Sequence, residues 1–588
     1  FYGRNNGSYT FGGTGQYSTL NAGLDFLLGN PDGYGQGAGG VINARAFEHY
    51  VYGQDQWKFR DNLTVTYGAG WQIDSPFHNR QFNGVGTNCF IPGQQSTVFS
   101  TAPAGLNFPG DRGCNDAGGA KTAWKDVGPR FGFAYAPSAG LLSGGESRKL
   151  SIRGGYGIYF NRTEEETSLQ NLGAPPFGLN SSGAQDFGTS STAPAFANPF
   201  QDINTGTAFT NRFPFTFPTP GTAVDFTKLE PITISLYSPH FRIPYSQNFN
   251  LTFERELPSN IVARVSYVGA LGRREQITYE GNPITQAGHD ACLALAACVS
   301  GRNNQVKNFP THTAFAPGNL IASVGTIDTI GSSSYNSLQL SATKGFTHGF
   351  LFQASYTYAH ALDNGSSFEN SGFGGSFRAF NQFVPSLNYG DSAFDVRHRF
   401  VFAPVYQVPN WKHLPGLGWL PDPIGRGWEV SGILTLSTGF PLDIRTGSGS
   451  LSLFCASSTT FYVCPDVPNQ VAPVKYLDPR VGQNFWFDPS SFTTEAVGTF
   501  GNTHRNPLRG PGINSTDFAI FKNIYFWPGS ESKYIQLRLE SYNVFNHTNF
   551  YDPLTVPNIT NSITSGTFGR ITSAAPGRQS QLAAKIYF

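Results

Sequence analysis

The chain has 588 residues, of which 13% are charged and 15% aromatic, with 69 Gly, 52 Phe and 26 Tyr and a formal net charge of +1. Disordered chains are poor in aromatics, so this is not a disordered composition, and a charge near zero offers no electrostatic basis for binding nucleic acid. The longest apolar run, Ala291 to Val299, is nine residues, half of the roughly 18 that a membrane-spanning helix needs.

The chain begins at Phe1 and contains no Met. It reads as a fragment or processed chain whose N-terminal part is missing, and no signal-peptide pattern opens it. A weak strand is expected near 4–11. The Gly-rich stretch 33–40 lacks the strand–helix context of a phosphate loop and reads as flexible external loop. The first firm strands are 47–59 and 62–75. In the second, Leu63, Val65, Tyr67, Ala69, Trp71 and Ile73 face one way, and Thr64, Thr66, Gly68, Gly70, Gln72 and Asp74 face the other. A dozen residues of period-two alternation make a strand with one apolar and one polar face. It is long enough to cross a bilayer tilted, which takes about 9–11 residues.

Comparable segments follow at 128–137, 149–160, 245–257, 261–271, 335–345, 350–360, 397–406, 427–439, 515–526, 533–545 and 578–588, about fourteen strands in all. The links alternate in length. Short ones sit near 60–61, 257–260, 345–349 and 527–532, with medium ones at 138–148 and 407–426. Long ones run 76–127, 161–244, 272–334, 361–396, 440–514 and 546–577. Transmembrane barrels show this asymmetry, with short periplasmic turns and long external loops. A soluble propeller or tandem sandwich would have shorter strands and a fixed repeat. The fold class expected is all-β: a partial antiparallel transmembrane β-barrel of about 14 strands with long extracellular loops, residues 1–588 forming one C-terminal barrel portion. Aromatics at the strand ends, such as Trp57, Phe59, Phe131, Tyr525 and Trp527, fit interfacial girdles; ordinary core aromatics are the rival reading.

All six cysteines fall in long links, as Cys89 and Cys114, Cys292 and Cys298, and Cys455 and Cys464. An even count at local spacing suggests disulfides in an oxidising compartment. Zinc is the alternative, but no Cys-x-x-Cys and no His at ligand spacing accompanies them.

Motifs for chemistry are few. Glu164-Glu165-Glu166 is either a calcium-binding run or a solvated face. Asp395, Arg397 and His398 form either a ligand cluster or a structural network at the barrel rim. No nucleophile elbow or zinc-protease helix occurs, so neither enzyme activity nor a cofactor is expected; a hydrolase stays the least supported option. The better functional class is the polar strand face: Thr64, Thr66, Gln72, Asn248, Asn250, Arg264, Gln536, Arg538 and Glu540. A charge on a lipid face costs about 2–4 kcal/mol at the midplane, so Arg538 and Glu540 are expected to point inward, opposite Leu537 and Leu539.

The chain ends in Gln581-Leu-Ala-Ala-Lys-Ile-Tyr-Phe588, a strand whose alternation runs to the last residue. It resembles the C-terminal insertion signal of outer-membrane barrels, with Phe588 as the terminal aromatic. Asp25-Phe-Leu-Leu-Gly29, Tyr52-Gly-Gln-Asp-Gln-Trp-Lys58, Asn62-Leu-Thr-Val-Thr-Tyr-Gly68, Asp395-Val-Arg-His-Arg-Phe400, Gly427-Trp-Glu-Val-Ser-Gly432 with Thr438-Gly-Phe-Pro441, and Glu540-Ser-Tyr-Asn-Val-Phe-Asn-His-Thr-Asn-Phe550 together resemble the barrel of TonB-dependent outer-membrane transporters, in particular the Oar-like group. The resemblance implies a plug, a TonB box and a regulatory-like domain upstream, none visible here, with about eight further strands. It implies active import of a bulky nutrient such as a siderophore, glycan or peptide. Implied partners are outer-membrane lipids, the barrel-assembly machinery through the C-terminal strand, the TonB complex through the upstream region, and a nutrient ligand. A surface adhesin or assembly protein anchored by the barrel is the alternative.

Overall fold

The computed structural model describes residues 7–13, 18–39, 43–137, 150–162, 175–182, 194–209, 211, 213–229, 232–296, 321–366, 380–413, 416, 419, 421–446, 451–454, 466–526, 532–550 and 559–588. One 15-stranded sheet dominates, and thirteen of its strands lie on a single path. In chain order they are β1 (Glu48–Arg60), β2 (Leu63–Asp74), β3 (Ala123–Tyr135), β4 (Leu150–Phe160), β5 (Tyr245–Leu257), β6 (Ile261–Glu280), β7 (Ile321–Thr347), β8 (Phe350–Asp363), β9 (His398–Gln407), β10 (Trp428–Ser437), β11 (Ile513–Tyr525), β12 (Tyr534–Tyr542) and β13 (Gln579–Tyr587). Each pairs antiparallel with its neighbours in sequence. Along this path β1 and β13 are the two ends.

The thirteen firm strands of the sequence reading are all present. The fourteenth is corrected: Ser8–Thr10 forms a separate three-stranded sheet with Gly33–Gly39 and Gly178–Ser182. The glycine-rich stretch is therefore strand rather than flexible loop, because its backbone groups find partners on both sides. β6 and β7 also run further than periodicity indicated. Their pairing continues past register shifts at Arg273/Glu275 and Glu275/Ile277. Such shifts let a ladder bend and go on.

Turn chemistry explains the short links. Between β7 and β8, His348 (φ 51°) and Gly349 (φ 75°) are both left-handed, the requirement of a two-residue I′ hairpin. A Cβ on Gly349 would stand 2.6 Å from the Gln407 carbonyl oxygen, so the close approach of β9 also favours glycine there.

The register carries one apolar stripe across the wall: Tyr67 faces Phe131, Phe131 faces Tyr156, and Tyr156 faces Phe249, while Leu251 faces Tyr267, Tyr267 faces Leu338, and Leu338 faces Tyr358. Many of these side chains are exposed, with Phe131 at 51% and Tyr267 at 45%. A contiguous apolar face of this extent in water would far exceed the few hundred Å² that soluble monomers tolerate. It is the face for lipid.

The hydrophobic cores lie in the long links, not in the wall. Val85, Phe99, Leu106, Phe108, Phe177, Phe226, Ile232, Ile234, Ile321 and Val324 gather residues from two links and the extended part of β7. Within this core Ile232–Tyr237 adds a parallel strand to the extended part of β7. A second core joins Leu442, Ile444, Phe487, Phe492 and Leu508 to Ile559, Phe568 and Ile571. The described parts of these links thus pack into cores of their own.

Candidate functional site

Opposite the apolar stripe the alternate residues make a largely polar face, interrupted by Val401, Ala403 and Val405 in β9 and by Phe521 in β11. Gln72 faces Asp126; Asn250 faces Gly155 and Asn248 faces Gly157; Glu254 faces Arg264, which faces Ser341. At the other end Glu540 faces Gln581, and Gln536 faces Asn523 and Lys585. All nine residues named from the sequence, Thr64 and Thr66 included, lie on this one face. Arg538 and Glu540 stand opposite Leu537 and Leu539, which are 45% and 43% exposed.

Charges on this face are compensated locally. Arg264 donates to Glu254 at 2.8 and 2.5 Å, and Arg153 approaches the same carboxylate at 3.8 Å. Arg538 donates to Gln536 at 2.6 Å and to the Tyr587 hydroxyl at 3.2 Å, with its guanidinium 5.2 Å from the Phe521 ring. Arg130 lies 4.7 Å from the Tyr159 ring centroid.

At the extracellular rim the acids and arginines converge. Asp391 accepts from His360 at 2.9 Å, from Arg397 at 3.3 Å and from Arg509 at 2.5 Å. Asp395 is buried, accepts from the Ala361 amide at 2.6 Å, and pairs with Arg397 and Arg509. Arg505 pairs with buried Asp363. The cluster therefore ties the 438–512 link onto the 364–397 link. Its carboxylates are engaged by protein groups, which favours the structural reading of Asp395 and Arg397. His398 does not join them: one residue further along, it points to the apolar face, where its ring meets the Tyr356 hydroxyl at 2.8 Å. Sequence reading missed Arg505 and Arg509. The signal available was two arginines flanking Asn-Pro-Leu.

The 75–122 link is braced by Cys89–Cys114, a disulfide with Cα atoms 5.7 Å apart. Buried Asp111 holds the same link together. It accepts from the Ser96 hydroxyl, the Thr97 amide and hydroxyl, and the Val98 and Phe108 amides, at 2.6 to 3.2 Å. Burial alone would push this carboxyl up, but the hydrogen bonds outweigh it and keep it below the usual range. A cleft of about 420 Å³ opens beside it, lined by Asn79, Arg80, Asn83, Gly84, Val85, Pro109, Gly110 and Asp116. Cys292 is buried and disulfide-bonded. Cys298, Cys455 and Cys464 lie outside the described residues, as do Glu164, Glu165, Glu166 and Trp527. Phe588 ends the chain just past β13 and is 96% exposed.

In the 438–512 link Glu495 is buried and accepts from the Thr446 hydroxyl at 2.7 and 2.9 Å. Burial raises its pKa to about 7, and the Asp466 carboxylate adds to the effect, while hydrogen bonds from its own amide and from Thr446 act the other way.

Comparison with known proteins follows the same lines. The profile of a family described as "Outer membrane beta barrel domain" matches residues 1–581. Among solved structures, the chain is similar to the ferripyoverdine receptor of the outer membrane of Pseudomonas aeruginosa, at 9% identity and a TM-score of 0.37, with 95% of this chain and 40% of that one covered. It is similar to the siderophore receptor PiuA from Acinetobacter baumannii, at 10% identity and a TM-score of 0.37, covering 95% and 44%. For the FrpB iron transporter from Neisseria meningitidis the values are 9%, 0.35, 94% and 55%. The chain thus spans about half the length of these proteins or less. No curated protein matches it.

Proposed function

From the premise that the chain belongs to the outer membrane beta-barrel domain family, and so resides in the bacterial outer membrane, we propose that it forms part of the wall and the external loops of a TonB-dependent transport receptor of Oar-like type. Its cargo is a bulky nutrient such as a siderophore, glycan or peptide. The single observation that carries this reading is the largely polar inner face running from Thr64 to Gln581, beside long links that pack into cores of their own.

Strand parity refines the expected remainder of the barrel. In a meander of thirteen antiparallel strands, β1 and β13 run in the same direction. Antiparallel closure then takes an odd number of further strands, since such barrels have an even total. For a plugged barrel of about 22 strands the complement is about nine, in place of the eight that a count of fourteen suggested. The plug and TonB box belong with them in this reading.

The test is genetic. Deleting the protein and deleting TonB should produce the same uptake defect, with no further loss in the double mutant. Uptake through this protein that persists without TonB would overturn the reading and leave the adhesin or assembly anchor in its place.

A further inference from the structure

The β9–β10 link (408–427) lies on the same side as the short turns, yet it is long, and its described residues 408–413 and 421–427 are folded. Trp411–His413 and Asp422–Gly425 are short helical turns. The Asn410 amide donates to Asp422 at 3.0 Å, and Lys412 pairs with Asp422 at 3.1 Å, so the two ends of the link are fastened together.

Its position is set by the lipid-facing side of the wall. Trp428 and Lys522 are register partners on the face that also carries Val430, Leu434, Leu436, Phe518 and Ile520. The Trp411 ring stacks on Trp428, centroids 5.8 Å apart and planes 8° from parallel. Trp428 Nε1 donates to the Ile424 carbonyl at 2.7 Å. Lys522, a cation on a lipid-facing surface, lies 4.9 Å from the Trp428 ring and donates to the Ile424 and Arg426 carbonyls at 3.0 and 2.5 Å. The link therefore folds against the outer side of the wall and supplies the acceptors for a lysine that has reached the membrane edge. From this platform Trp419 projects 76% exposed and Ile424 49% exposed.

We propose that the 408–427 link is a membrane foot, seated in the headgroup–acyl boundary of the periplasmic leaflet, with phospholipid as its partner. The commitment to lipid rests on continuity: Trp411 extends, ring on ring, the same surface that the wall presents to the bilayer. Tryptophan is the side chain suited to that boundary, having a large apolar body and one N–H to place among headgroups. The foot anchors this side of the barrel and fixes its depth in the leaflet.

The test uses the full-length native protein reconstituted in phosphatidylethanolamine–phosphatidylglycerol vesicles. A nitroxide is attached at Trp419→Cys, a site whose exposure leaves packing intact, and at Asp61→Cys in the β1–β2 turn as a water-exposed control on the same side. Power-saturation spectra are recorded with oxygen and with a water-soluble nickel chelate. A foot in the leaflet gives several-fold higher oxygen than nickel accessibility at 419 and the reverse at 61. High nickel accessibility at 419 overturns the proposal in favour of a link standing in the periplasm. An immobilised label shielded from both reagents overturns it in favour of a protein contact.

Discussion

Arg509 and Asp395 stand 114 residues apart in sequence and form an ion pair at the rim, where the Asp395 side chain is fully buried. The pair fastens one long link onto another. Removing the arginine leaves Asp395 with the Ala361 amide, at 2.6 Å, and one cation, Arg397, at 3.4 Å. Breaking a fully buried pair costs about 3–5 kcal/mol, and Arg509 is partly exposed, so Arg509→Ala should cost about 2 kcal/mol of local stability. Hydrogen exchange should quicken at Leu442 and Leu508, which pair beside it, while the wall strands stay protected. Unchanged exchange there would show that the second hydrophobic core holds the link without the ion pairs.

Glu495 makes the same link sensitive to pH. Its carboxyl titrates near 7 in the folded state and at about 4.5 when unfolded. The folded state therefore holds the extra proton between these values, and stability falls as pH rises through that window. Protection factors around Thr446, with the base catalysis of intrinsic exchange divided out, should fall from pH 5 to pH 8. Glu495→Gln keeps a neutral side chain throughout and should flatten the dependence.

The Cys89–Cys114 disulfide closes a loop of sequence separation 25. By the chain-entropy account such a cross-link is worth about 3 kcal/mol. The Cys89→Ser, Cys114→Ser double variant should leave the barrel inserted but make the 75–122 link open to protease. Asp111→Ala attacks the same link from its polar centre, stranding the donors of buried Ser96 and Phe108 at a cost of about 1–3 kcal/mol. Digestion patterns of the two variants should match.

The facing of β12 gives a sharp contrast between neighbours. Leu539→Arg puts a charge on the lipid side and should lose about 2–4 kcal/mol, with reduced insertion into vesicles. Ala583→Arg, on the polar face beside Arg538, should insert normally or nearly so. Cysteines at 537 and 538 should likewise differ, only the second reacting with a water-soluble maleimide. Equal reactivity would contradict the register.

Much of this was legible in the sequence because wall strands answer to local rules. In β2, Leu63 to Ile73 alternate with Thr64 to Asp74, and lipid on one side and water on the other keep that pattern clean. The polar face followed for the same reason. The long links obey no such period. Phe99, Phe177 and Ile321 come together from two links and the start of β7 with nothing local to announce it, and Arg505 and Arg509 acquire their roles only when Asp363, Asp391 and Asp395 arrive across the rim. The strand at 33–39 was hidden by glycines, whose lack of side chains erases alternation. Cys89 and Cys114 were readable as a pair because the partners are near in sequence and share one link.

The most direct test of the account is the intact mass and N-terminal sequence of the native protein recovered from an outer-membrane fraction. The account predicts a longer product whose upstream part holds a plug, a TonB box and an odd number of further strands, about nine. A native protein that lacks them would contradict energised import and make the loops, on a barrel completed by other chains, the functional part of the molecule.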